Sequence, residues 1–328
     1  MLDELRGEIG NRLYGYTYVV DIINTCPLRC PTCAIGVLPL RDARRMEFDM
    51  FRRILDKGQR EGKIRKMQLY IYSDPCLHKE LHKFLVECTV RNIPSSISTM
   101  LQTTRCDFEK VVEARPTEFR ISFAGWKNLT TYQKGGTVES FERKLEMVTK
   151  LPRHKETRWT MYFHIYRDNL DEIAPARKMA KLHGLDFIPY PAIMMINEKV
   201  VEKTYTEEDR KTLDLLLETP EENIERLKVN TDYCQMQRKQ ITIDANGMVY
   251  LCQIVYEDRF QIVPFLETPM REIRKRLKAH PFCVKCKSVG GHTYQYLYAD
   301  STVYDDPITV ADQKRFKGGD NRLRKFYV

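Results

Sequence analysis

The chain has 328 residues, 42% hydrophobic and 30% charged, a balance that excludes collagen-like, low-complexity and disordered polypeptides. Its 54 Lys and Arg against 45 Asp and Glu give a formal charge of +9, which favours an anionic ligand or partner and keeps nucleic acid among the candidates without favouring it. No run of 18 apolar residues and no basic-then-apolar start occurs, so a cytoplasmic protein with no membrane partner is expected, and its ten cysteines need a role other than disulfides.

Taken in chain order, apolar runs alternate with helical periodicity, the pattern of a parallel α/β sheet or barrel. Strands are expected at 16–23, 66–72, 95–99, 118–123, 158–165 and 185–190, with helices at 49–60, 79–91, 107–113, 138–151 and 171–183. Six βα units in about 180 residues fall short of a closed eight-stranded barrel. Beyond Pro191 a charged helical stretch, 206–228, reads as a connector. Segments 240–243 and 248–252 then flank Asp244-Ala245-Asn246-Gly247, a hairpin signal in which Asn-Gly supplies the positive φ angles of a tight turn. A helix is expected at 270–280, and the Tyr-, Lys- and Asp-rich tail from Thr293 reads as a surface wrap. The expected division is a barrel over 1–192, a connector over 193–230, a small second unit over 231–292 and a tail over 293–328.

Cys26, Cys30 and Cys33 form C-x3-C-x2-C directly after the first predicted strand. Chance places that spacing in a chain of this cysteine content roughly 0.01 times, so the signal is specific. Three thiolates on one loop suit a metal: zinc with a fourth ligand, or a 4Fe-4S cluster with one open iron. Pro27 and Pro31 stiffen the loop and remove two backbone donors.

At these residues the sequence resembles the radical S-adenosylmethionine family. The resemblance implies a partial (β/α)6 TIM-type barrel, and an open iron that binds S-adenosylmethionine and delivers the electron that cleaves it to a 5'-deoxyadenosyl radical. Tyr72, Ser73 and Asp74, before Pro75, stand where the family's Gly-Gly-Glu-Pro segment holds the methionine amine. Here both glycines are absent and Asp replaces Glu. Ser98-Thr99-Met100-Leu101 is similar to the family's Ser-Thr-Asn-Gly-Leu, and Ser122 and Arg167 match positions that reach the cofactor's carboxylate and ribose. A guanidinium suits a carboxylate because its fork engages both oxygens, although for either residue a surface salt bridge or a strand-end hydrogen bond explains its place nearly as well.

Cys234, Cys252, Cys283 and Cys286 supply four further thiols, enough to close a second cluster or a zinc ribbon. Their spacing, C-x12-G-x4-C and then C-x2-C, resembles the SPASM and Twitch auxiliary domains of the same family. His292 stands where a further cysteine would come and none follows Cys286, so one auxiliary 4Fe-4S cluster is implied. Cys76, Cys88 and Cys106 remain. Cys88 reads as packing, whereas Cys76, following Asp74-Pro75, is a candidate hydrogen-atom donor to a substrate radical.

The resemblance implies hydrogen abstraction from a polar small molecule, ending in dehydrogenation or epimerisation of a sugar or aminocyclitol. His292, Tyr294 and Arg226 are candidates to take the hydroxyl proton. An electron donor such as flavodoxin or ferredoxin is then an implied partner. Modification of a ribosomal peptide, or of a nucleotide or nucleic acid, competes with this reading, as does a zinc-stabilised binding protein with no catalysis.

Overall fold

The computed structural model describes residues 15–39, 42–103, 105–227 and 234–294. Six strands, β1 (Tyr16–Val20), β2 (Ile64–Gln68), β3 (Ser95–Thr99), β4 (Glu118–Phe123), β5 (Arg158–Ile165) and β6 (Asp186–Pro191), run parallel and in sequence order. Helices between them cover one face, as the expected βα alternation requires. The helix Phe48–Glu61 buries Phe51, Ile54, Leu55 and Gly58, the i, i+3, i+4, i+7 stripe of an amphipathic helix laid on a sheet.

The strands divide their residues by the two-residue period of the pleat. Tyr18, Val20, Met67, Ile97, Phe119, Ile121, Phe123, Met161 and Phe163 enter the main apolar core. Phe119 stacks on Trp159 at 4.3 Å between ring centres, and Phe123 on Phe141 at the same separation. The alternate positions are polar though buried: Thr17, Asp21, Gln68, Ser96, Ser122 and Thr160. A sheet apolar on its helix side and polar on its concave side has a wall for chemistry, with stability supplied elsewhere.

Three more strands extend the same sheet. β7 (Gln240–Ile243) pairs in parallel with β1, and β8 (Met248–Tyr250) and β9 (Gln261–Pro264) follow antiparallel, giving the order β6-β5-β4-β3-β2-β1-β7-β8-β9. The C-terminal hairpin is therefore hydrogen-bonded to the barrel's first strand. Because β1 and β7 point the same way, Asp21 and the hairpin turn at Asp244 emerge together at the carboxyl end of the sheet, where α/β proteins build their sites.

Differences from the sequence expectation have local causes. β2 ends at Gln68, with one further backbone bond from the Leu69 amide to Ser96 O at 3.0 Å before the Ile71 amide turns to Asp21 Oδ1 at 3.3 Å. The stretch 206–228 breaks into helices Glu207–Leu215 and Pro220–Leu227, since Pro220 opens a helix and cannot continue one. In the hairpin turn only Gly247 takes a positive φ, +81°. Asp244 organises the other residues, its Oδ1 accepting from the amides of Asn246 at 2.9 Å and Met248 at 2.8 Å. The expected tail beyond Tyr294 lies outside the described residues, as do the side chains of Arg226 and Tyr294.

Candidate iron-sulfur and cofactor site

The first cysteine loop leaves β1 at the carboxyl edge of the sheet and is tied down on both flanks. The Arg29 guanidinium donates to the carbonyls of Cys26 and Leu28, each at 2.8 Å, and the Arg29 amide donates to Lys134 O, also at 2.8 Å. The Cys33 amide closes a turn on Cys30 O at 3.1 Å. Gly36 fits against that turn so closely that a Cβ would stand 1.9 Å from Cys30 O. Cys26 is buried, with Cys30 and Cys33 half-buried.

Burial raises all three thiols above their ordinary range. Cys26 is pushed up to about 12 with help from Asp74 and Cys33, and Cys33 to about 11. Cys30 is raised by burial and then by the nearness of Cys33 and Cys26. Three thiols that hinder one another's ionisation suit a cationic group that takes them as thiolates. The donor set, sulfur alone from one stiff loop, fits a three-thiolate iron-sulfur cluster.

Four thiols meet again beyond the hairpin. Cys252 follows β8, Cys234 caps the helix Gln235–Lys239, and Cys283 and Cys286 lie three residues apart on one face of the helix Pro281–Ser288. The thiol of Cys252 is raised by burial and then by Cys283, Cys234 and Cys286, which places all four within electrostatic reach of one another. Asn197 Nδ2 donates to Cys286 Sγ at 3.2 Å. As a donor set, four thiols would hold a second iron-sulfur cluster. No group of three or more His, Cys, Asp or Glu side chains among the described residues is arranged to hold a single metal ion.

Tyr72 lies between the two sets. Its carbonyl is 4.0 Å from Cys33 Sγ, its hydroxyl donates to Met195 O at 3.2 Å, and its ring meets the Tyr256 ring edge-on at 5.3 Å. A cleft of about 190 Å³ opens beside it, lined by Asp21, Asn24, Asp244, Cys252 and Tyr256. Ser73 Oγ donates to Asp21, whose carboxyl is pushed up to about 7 by burial. Asp74 accepts from the Cys76 amide at 3.0 Å, Thr99 Oγ1 at 2.9 Å and the Met100 amide at 3.2 Å. Its carboxylate thus braces the β2 and β3 loops. Ser98 Oγ and Ser122 Oγ share a hydrogen bond of 3.2 Å on adjacent strands of the concave wall.

The remaining candidates are placed differently. Arg167 is exposed, and its guanidinium donates to Leu216 O, joining the β5 exit to the connector. Cys76 has no exposed surface and packs in the main apolar core, against which the half-buried Cys106 also lies. His292 is buried on the short helix Gly291–Tyr294. Cys88 is fully buried in the main core.

Several residues emerge only in three dimensions. His164 faces the concave side of β5 beside Tyr190, and burial followed by the nearby Arg120 charge lowers its imidazole to about 4, so it is neutral at pH 7. Arg120 stacks over the Tyr162 ring at 3.8 Å. Glu198, fully buried, accepts from the amides of Tyr256 at 2.9 Å and Glu257 at 3.3 Å, fastening the loop after Cys252. The signal for His164 and Arg120 was present as polar residues at every second position of an otherwise apolar strand. Nothing local marks Glu198.

No family model and no curated protein matches the sequence. Solved structures do share its fold. Streptococcus suis SuiB bound to the precursor peptide SuiA superposes with a TM-score of 0.58 at 13% identity, over 88% of this chain and 71% of SuiB. Native anSMEcpe with bound AdoMet gives 0.53 at 15% identity, covering 81% of this chain and 82% of that one. BtrN in complex with AdoMet and 2-DOIA gives 0.48 at 10% identity, over 84% and 87%. The chain thus has the partial-barrel fold of the radical S-adenosylmethionine enzymes.

Proposed function

We propose that the chain is a radical S-adenosylmethionine enzyme acting on a polar small molecule, with Cys26, Cys30 and Cys33 holding a 4Fe-4S cluster and Cys234, Cys252, Cys283 and Cys286 an auxiliary one. The observation that carries the reading is three cysteines on the one hydrogen-bonded loop that follows β1, at the carboxyl edge of a partial barrel whose concave wall is polar. When bound, the first group supplies the electron that cleaves S-adenosylmethionine to a 5'-deoxyadenosyl radical, and the second takes up or returns an electron, which separates dehydrogenation from epimerisation.

The chain's own residues do the positioning. Asp74 sets the β2 and β3 loops against each other, and Ser98 and Ser122 offer hydroxyls from the wall to the cofactor. The buried His292 is the candidate to accept a hydroxyl proton, whereas burial and the Arg120 charge disfavour the protonated form of His164 and leave it a hydrogen-bonding role on the wall. The wide-then-narrow cysteine spacing resembles that of 2-deoxy-scyllo-inosamine dehydrogenase and favours a sugar or aminocyclitol alcohol. A peptide substrate is the second reading, favoured by the likeness in fold to SuiB, whose structure holds a precursor peptide.

Anaerobic reconstitution with metal and sulfide analysis, then incubation with S-adenosylmethionine and a reductant, tests the proposal. Two clusters give about eight iron per chain, and 5'-deoxyadenosine forms. Cys26→Ala keeps about four iron and loses cleavage, whereas Cys283→Ala keeps cleavage and loses product formation. Zinc in place of iron, or no 5'-deoxyadenosine from iron-loaded protein, overturns the reading.

A further inference from the structure

Two of the side chains that the resemblance assigns to S-adenosylmethionine are engaged within the protein. The Arg167 guanidinium goes to Leu216 O, and both oxygens of Asp74 already accept, from the Cys76 and Met100 amides and the Thr99 hydroxyl. A further element meets the same corner of the barrel. Residues 133–137, which follow the short helix Leu129–Tyr132, are wedged between the first cysteine loop and the segment leaving β3. On one side the Arg29 amide donates to Lys134 O at 2.8 Å, and Gly135, at a φ of +100°, lies so near that a Cβ would stand 3.2 Å from Pro27 O. On the other side Gln102 Nε2 donates to Thr137 O at 3.0 Å, and its Oε1 accepts from the Thr137 amide at 3.3 Å.

Gln133 begins this wedge and is 3% exposed. Its Nε2 donates to Ser122 O at 3.3 Å, at the exit of β4 where the Ser98 and Ser122 hydroxyls meet. That bond fixes which way the amide faces, because a carbonyl oxygen is met only by a donor. The other end of the amide is left over: among the described residues, Gln133 Oε1 is buried and has no hydrogen-bond partner. A buried acceptor without a donor is unfavourable in the free protein, and a donor brought by a ligand removes that cost.

We infer that Gln133 is a binding residue for S-adenosylmethionine, its Oε1 accepting a hydrogen bond from a ribose hydroxyl. The inference rests on the proposed function. The cofactor's ammonium is better met by a carboxylate than by a neutral amide, and its own carboxylate has no proton to give. A ribose hydroxyl is an uncharged donor matched to an amide oxygen. The wedge then joins two parts of one site: Lys134 O holds the cysteine loop through the Arg29 amide, and the neighbouring Gln133 side chain holds the β4 exit and meets the cofactor.

The test is equilibrium dialysis of anaerobically reconstituted protein with S-adenosylmethionine and with an analogue lacking both ribose hydroxyls, a measurement of binding that needs no turnover. The wild type is expected to bind the analogue more weakly than the cofactor. Gln133→Met keeps the side chain's length and removes its polar atoms; it should weaken S-adenosylmethionine about five- to tenfold and the analogue less than about twofold, with iron content unchanged. Gln102→Met, which removes both bonds to Thr137 from the same wedge, should lower the melting temperature and shift S-adenosylmethionine affinity less than about twofold. Equal wild-type affinity for cofactor and analogue, equal weakening of the two by Gln133→Met, no weakening by it, or as large a loss in Gln102→Met overturns the inference and leaves the proposed function standing. Reconstituted wild type that binds no S-adenosylmethionine overturns both.

Discussion

Asn197 Nδ2 donates a hydrogen bond to Cys286 Sγ at 3.2 Å, linking the helix after β6 to a thiol 89 residues further along the chain. A donor aimed at a ligand sulfur holds the ligand's rotamer and favours its thiolate form, and loss of such supporting contacts costs about 10–100-fold in metal affinity. Asn197→Leu is therefore expected to keep the first cluster and S-adenosylmethionine cleavage while iron falls from about eight towards about four per chain after chelator challenge. Unchanged iron retention would remove Asn197 from the support of that site.

Gly36→Ala tests the first loop. The added Cβ would meet the Cys30 carbonyl at 1.9 Å, a backbone contact that no rotamer change relieves. Opening the turn would separate Cys30 from Cys33, because the Cys33 amide bonds to that same carbonyl. The variant should fold, with unchanged far-ultraviolet circular dichroism, retain the auxiliary iron and make no 5'-deoxyadenosine. Gly62→Ala, at a site where the nearest neighbour to a Cβ is 3.7 Å away, is the control.

What the sequence disclosed and what it withheld follow from the range of the interactions concerned. β3, β4 and β5 lie at the residues expected; β4 and β5 alternate strictly and pair with each other along six residues. Cys26, Cys30 and Cys33 stood out as one set because their spacing belongs to a single loop, whereas Cys234, Cys252 and the Cys283–Cys286 pair lie on three separate segments that only a resemblance in spacing joins. The pairing of β7 with β1 was not, since it joins strands about 220 residues apart and no periodicity reports a partner. Arg167 sits where a family motif would place a cofactor contact, yet Leu216 O takes its guanidinium because the connector's end folds back over the β5 exit. Cys76 follows a rim segment, but one turn of 3-10 helix carries it inward to the core.

Asp74 separates bracing from cofactor binding. It satisfies two buried amides and the Thr99 hydroxyl, and each buried donor left unpaired costs about 1–3 kcal/mol. Asp74→Ala should therefore lower the melting temperature by many degrees and abolish cofactor binding indirectly. Asp74→Asn keeps an acceptor and most of the bracing while removing the charge that would attract the methionine amine. A loss of about tenfold in S-adenosylmethionine affinity with only a small change in melting temperature is expected by equilibrium dialysis. Wild-type affinity in Asp74→Asn would confine the residue to bracing.

His164 gives the concave wall a pH signature. Its folded pKa is depressed to about 4, while an unfolded imidazole titrates near 6.5. Between these values the unfolded chain binds the extra proton, so this residue's contribution is complete above pH 6.5 and is lost as pH falls towards 4, at most about 3 kcal/mol. Asp21 acts in the opposite sense over much of the same range. Burial raises its carboxyl to about 7, so the folded chain holds a proton that the unfolded one releases, and stability from this residue falls as pH rises from 4 to 7. The two slopes partly cancel in the wild-type chain. Thermal denaturation from pH 5 to 7.5 should therefore show a shallow profile for wild type, a downward slope with rising pH for His164→Gln, and an upward slope for Asp21→Asn. If both variants keep the wild-type profile, the imidazole is solvated rather than enclosed beside Arg120, and its pKa is not depressed.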